Sequence, residues 1–187
     1  MKAFNPASKH TKLIFILVTT SILPIFIFAT FIPPYANSSS YAALEDIIDL
    51  HLFDKVGAWS SLFPFTAKVI SNYINLAVPF FTLLILTFIQ KAPPPPTINL
   101  QNLSLRKYLF VVVSLPFLDW FFIYQSYFSF TNFATHNLKF RIFGQHIVFF
   151  SFMSSILMLN LYIFAFLNYA AFYLIPHNYL KNKINRH

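Results

Sequence analysis

Cysteine is absent from this chain, which excludes disulfides, thiolate nucleophiles and cysteine-ligated metals. Glycine is nearly absent too. With 2 in 187 residues, helices cannot pack chiefly through glycine-lined contacts. Only 10% of residues are charged, whereas a soluble domain carries roughly 25%, so a water-facing surface cannot be covered. Acids are the scarcest charge, at 5 against 13 Lys and Arg. No Gly-rich phosphate loop, H-E-x-x-H or G-x-S-x-G occurs, and the six His never fall at i, i+3 or i+4. The reading is therefore not an enzyme, with no cofactor and no metal.

What remains is apolar. Hydrophobic residues make up 57%, Phe alone numbers 26, and the mean hydropathy is +0.62. Four runs are each about the ~20 residues a helix needs to cross a hydrocarbon core: residues 12–32, 69–90, 106–125 and 146–175. Pro33-Pro34 stops the first, and Pro93 to Pro96 break the second from the third, because proline has no N–H and biases its predecessor toward extended backbone. Lys2, Lys9, Lys12, Lys91, Arg106, Lys107, Lys181, Lys183 and Arg186 fall on one side of these spans with no acid among them. Lys55, Lys68, Lys139 and Arg141 fall on the other, with four acids. That bias predicts both termini in the cytoplasm and accounts for the net charge of +8 without nucleic acid. The expected fold is an all-α integral membrane protein, one domain over residues 1–187, a four-transmembrane-helix bundle.

Within the first external loop, Leu44, Ile47, Ile48 and Leu52 recur at helical spacing, predicting a short amphipathic helix at the interface. Glu45, Asp46 and Asp49 then form a solvated acidic face able to attract a basic partner. Asn72, Asn75, Pro79 and Thr82 share one stripe of the second span, where Asn and Thr are expected to hydrogen-bond a neighbouring helix. Asp119 is the one acid deep in an apolar run, placed in the outer half by counting from Lys107. Ionised, it costs on the order of 2.5–3.5 kcal/mol, so it is expected to be neutral or paired, either with an Asn or Tyr of another span or as a functional group. His146 is a candidate to meet it near the outer face. Asn160 and Asn168 fall on nearly one side of the fourth span, and the alternation from Phe128 to Phe133 reads as a short β-like stretch.

Asn75-Leu76-Ala77-Val78-Pro79-Phe80 followed by Leu84-Ile85-Leu86-Thr87-Phe88 resembles the second span of the immunity proteins of pore-forming colicins, the colicin A type. Arg106-Lys107 opening the third span, Ser114-Leu115-Pro116 inside it, the acidic first loop and the basic tail also fit, over roughly Leu13 to Lys183. The tetraproline and Asp119 have no counterpart in that family. The resemblance implies a bacterial inner-membrane protein that binds the toxin's pore-forming domain, chiefly its hydrophobic helical hairpin, and prevents channel opening. Asn72, Asn75, Thr82, Asp119, Asn160 and Asn168 are then the candidate toxin contacts in lipid, with Glu45, Asp46 and Asp49 outside. A small channel or proton-linked transporter centred on Asp119 is the alternative, and a subunit of a larger membrane complex is a third reading.

Overall fold

The computed structural model describes residues 6–91 and 104–177; the tetraproline break, Lys2, Tyr179 and the basic tail Lys181, Lys183 and Arg186 lie outside them. Four helices are long and apolar enough to cross a membrane, over Thr11–Phe31, Pro64–Gln90, Arg106–Phe128 and Ile147–His177. They belong to α1 (Pro6–Phe31), α3 (Pro64–Lys91), α4 (Leu105–Ile123) and α6 (Ile147–Tyr169). Between them lie α2 (Ser39–His51), β1 (Gly57–Trp59), β2 (Phe130–Asn132) and α5 (Leu138–Gln145). The span limits expected from sequence hold to within a few residues, except that α3 begins at Pro64, before Lys68, and so takes that cation into the helix. Pro64 opens it, as a first-turn proline can, since the N–H it lacks has no helical partner there.

The spans do not form a symmetric four-helix bundle. α1, α3 and α6 pack on one another around Ile25, Ile70, Ile74, Phe150, Met158 and Tyr162. One polar node ties the three together. Tyr162 Oη donates to Ser21 Oγ at 3.0 Å, and Tyr73 Oη donates to the Ser21 carbonyl at 2.6 Å. α4 rests on α6 and the π-helical turn that follows it, Ala170–Leu174, and is not packed along the length of α3. Only 6% of its span window is buried, against 44% for α3, so α4 is the candidate span with most of its surface outside the packed core.

The segments between spans at one end of the molecule form a cap. β1 and β2 pair in parallel, Gly57 opposite Phe130 and Trp59 opposite Asn132, so the β-like alternation is real but its partner lies in the first loop. Non-helical backbone near lipid must have its polar groups satisfied by protein. Here Ser71 donates to the Ala58 carbonyl, and Thr66 Oγ1 donates to the Ile32 and Pro33 carbonyls at 3.1 and 2.9 Å, satisfying the end of α1. Lys55 Nζ lies 4.0 Å from the Trp59 ring centroid, a cation–π contact that covers the sheet. Both glycines of the chain serve this cap. Gly57 has φ +65°, a left-handed conformation, and a Cβ on Gly144 would stand 2.1 Å from Ala134 N.

α2 corrects one expectation, that all three of its acids form a freely solvated face. Helix forms where predicted, capped by Ser38 Oγ accepting from Tyr41 N at 3.3 Å. Its buried side chain is Ile48 alone, while Leu44, Ile47 and Leu52 are exposed. The face turned to α3 is ionic instead: Lys68 Nζ lies 2.7 Å from Asp49 and 2.9 Å from Glu45, with Asp54 at 3.6 Å. Glu45 and Asp49 thus stay partly exposed to water but are engaged by Lys68 instead of standing free. Asp46 is exposed and fits the expectation.

Candidate functional site

Asp119 is the group with most to explain. It lies on the α6-facing side of α4, and Asn168 Nδ2 donates to its Oδ2 at 2.7 Å while also donating to the Phe164 carbonyl. Hydrogen bonding between Asp119 and an Asn of another span is one of the outcomes expected from sequence. Asn168 lies 21 residues past Ile147, about 32 Å along α6 at 1.5 Å per residue, so the pair sits well away from the cap. His146 stands at the cap end of α6, against Phe149, so it does not orient Asp119.

Two further contacts flank the pair: the Phe122 and Phe164 rings, with centroids 4.6 Å apart, and Tyr108 Oη donating to the Ala171 carbonyl at 3.1 Å. That carbonyl belongs to the π-helical turn, where a wider ladder leaves oxygens accessible. α4 is therefore latched to α6 and the turn after it by one tilted ring contact and two hydrogen bonds. Interhelical hydrogen bonds in lipid average about 0.6 kcal/mol and reach about 1.7, so the latch is reversible. Asp119→Asn keeps an acceptor for Asn168, whereas Asp119→Leu removes it. In this cysteine-free chain, Phe122→Cys with Phe164→Cys reads the separation of α4 and α6 without background. Disulfide formation is expected to be unchanged by Asp119→Asn and several-fold slower with Asp119→Leu. Equal rates would mean that the Asp119–Asn168 hydrogen bond does not set the separation of α4 and α6.

The other candidates divide. Asn72 is 2% exposed and fully spent: Nδ2 donates to the Asp54 and Lys68 carbonyls, and Oδ1 accepts from Phe53 N. Asn75 holds the π-helical turn Tyr124–Phe128 by donating to the Ser126 carbonyl at 2.8 Å, while its own carbonyl accepts from Tyr127. Both serve as glue: Asn72 toward loop backbone, and Asn75 toward the helical end of the third span, as expected of an Asn facing another helix. Thr82 Oγ1 is buried without a partner among the described residues. Asn160 is half-buried and makes no side-chain hydrogen bond there. Structure thus joins Asp119 with Asn168 and Glu45 with Asp49, and leaves Thr82 and Asn160 as the candidates without a side-chain partner among the described residues, a state that Ser154 Oγ of α6 shares. Among the described residues no three His, Asp or Glu side chains gather as a metal would require.

Lys68 is what sequence reasoning missed. It reads as an edge cation, yet its side chain is 9% exposed. A lysine opening an apolar run just after an acid-rich helix needs a counterion, and that demand was the available clue. Compared with family models, curated proteins and solved structures, the chain matches none.

Proposed function

We propose that this chain is a bacteriocin immunity protein, which binds the pore-forming domain of a colicin within the bacterial inner membrane and blocks channel opening. The cap faces out in this reading, and both termini are cytoplasmic. The observation that carries it beyond the sequence resemblance is α4, a candidate span with 6% of its window buried and a polar contact to α6. A protein that captures an apolar helical hairpin in lipid gains little from apolar area alone, because lipid tails are equally apolar. Recognition then rests on shape and on polar groups able to change partner. Asp119 and Asn168 supply such groups on the side of a lightly held helix, and Thr82 and Asn160 bring polar groups without partners of their own. Glu45 and Asp49 drop out as toxin contacts because Lys68 occupies them; Asp46 stays. A transporter centred on Asp119 has less support, since that carboxylate is engaged with an amide and no other titratable group pairs with it.

The test is survival of sensitive bacteria expressing the chain, challenged with several pore-forming colicins and one nuclease colicin. Protection against one or a few pore formers and none against the nuclease is expected. Killing by every toxin, at normal levels of the chain in the membrane, would rule the reading out.

A further inference from the structure

A cavity of about 420 Å³ lies between α3, α6 and the cap-side end of α4. Phe121, Phe122, Leu157 and Leu161 line its apolar wall, while Asn75 and His136 belong to the polar wall nearer the sheet. We infer that it holds one acyl chain of a bilayer phospholipid, the methyl end against Leu161 and the head region at the polar wall. This goes beyond the immunity reading and stands without it.

Three observations carry the assignment. First, α3 and α4 are not packed along their length, so the space between them faces the bilayer sideways. Second, the dimensions fit one leaflet. Met153, Leu157 and Leu161 repeat every four residues along one face of α6, rising about 12 Å, and half a hydrocarbon core is about 15 Å. Third, the cavity has a polar end with an open acceptor. Asn75 is 3% exposed and lines the cavity; its Nδ2 is committed to Ser126, and its Oδ1 accepts no hydrogen bond among the described residues. That amide oxygen is left able to accept an O–H or N–H, which ethanolamine and glycerol phospholipid heads carry. No Lys, Arg, Asp or Glu lines the cavity, so the head is met by hydrogen bonds and not by charge. The volume lies within the ~300–1,000 Å³ of ordinary ligand sites, and leaving it empty would forfeit the dispersion contacts of both walls.

The full chain, extracted in mild detergent, is expected to retain one phospholipid in native mass spectrometry. A phospholipid with a diazirine at the end of its chain, added to the wild-type protein and irradiated, is expected to label Phe122, Leu157 or Leu161. Leu157→Phe with Leu161→Phe fills the apolar end and is expected to lower retained lipid several-fold. Absence of retained lipid, labelling confined to the outward Phe117 and Trp120, or retention unchanged in the filled variant would each overturn the inference. A retained mass matching a free fatty acid would overturn the phospholipid assignment.

Discussion

Replacing both Glu45 and Asp49 by their amides should detach α2 from α3 and lower the stability of the cap. The reason is the asymmetry of buried charge. Lys68 carries an ammonium on a side chain 9% exposed, with carboxylate oxygens at 2.7 and 2.9 Å. Removing one side of a buried pair costs about 3–5 kcal/mol, because the remaining charge is left desolvated. The acids here are 34% and 41% exposed, so water screens part of the interaction and the expected loss is about 1–3 kcal/mol. Asp54, at 3.6 Å and more exposed, compensates only partly. Thermal unfolding in detergent and protease sensitivity of the 39–51 segment read the effect. Asp46→Asn should change neither, since Asp46 is exposed. Adding Lys68→Leu to the double amide variant should restore much of the loss, as removing a whole buried pair is often near neutral. If the double amide variant unfolds at the wild-type temperature with α2 still protected, the ion cluster does not hold the cap.

The same cluster shows what kind of information sequence carries in a membrane protein. Apolar run length and proline placement are local properties, and they located four spans, the stop after Phe31 and the helix that became α2. Asp119 was also legible as a group needing a neutral state or a partner, because the cost of a bare carboxylate in lipid is a property of the residue. Which partner was not legible. Lys68 meeting Glu45 and Asp49, and Asn75 meeting Ser126, join segments far apart in sequence, and helical spacing does not report which segments meet. The parallel sheet is the extreme case. β2 showed in the alternation from Phe128 to Phe133, but nothing local reports its partner, because the two strands pair across two intervening spans. The expected stripe of Asn72 and Asn75 correctly placed both residues on an inward face. Asn72 meets the loop carbonyl of Asp54, whereas Asn75 meets Ser126 in the π-helical end of the third span.

Gly144→Ala should be the most damaging single-methyl change in the chain. A Cβ there would stand 2.1 Å from Ala134 N, 2.2 Å from Phe133 C and 2.6 Å from Ala134 Cα. All three are backbone atoms, so no side-chain rotation relieves the overlap, and α5 must move away. That movement pulls on several contacts at once. Ser60 Oγ donates to the Gly144 carbonyl at 2.6 Å, and Asn132 Oδ1 accepts from both Ser61 N and Ala134 N, so α5, β2 and the segment after β1 share one network. α6 begins at Ile147, three residues on, so the displacement also reaches the span that carries Asn168. Overpacking usually costs about 1–3 kcal/mol, and a clash confined to backbone belongs above that range. Gly57→Ala offers the internal comparison. Its Cβ would lie 3.4 Å from the Ser126 carbonyl, so the cost is mainly the left-handed backbone, about 1–2 kcal/mol. Melting temperatures in detergent should therefore fall in the order wild type, Gly57→Ala, Gly144→Ala, with the last also reduced in membrane yield. A Gly144→Ala protein as stable as Gly57→Ala would mean that α5 does not seat against Phe133 and Ala134.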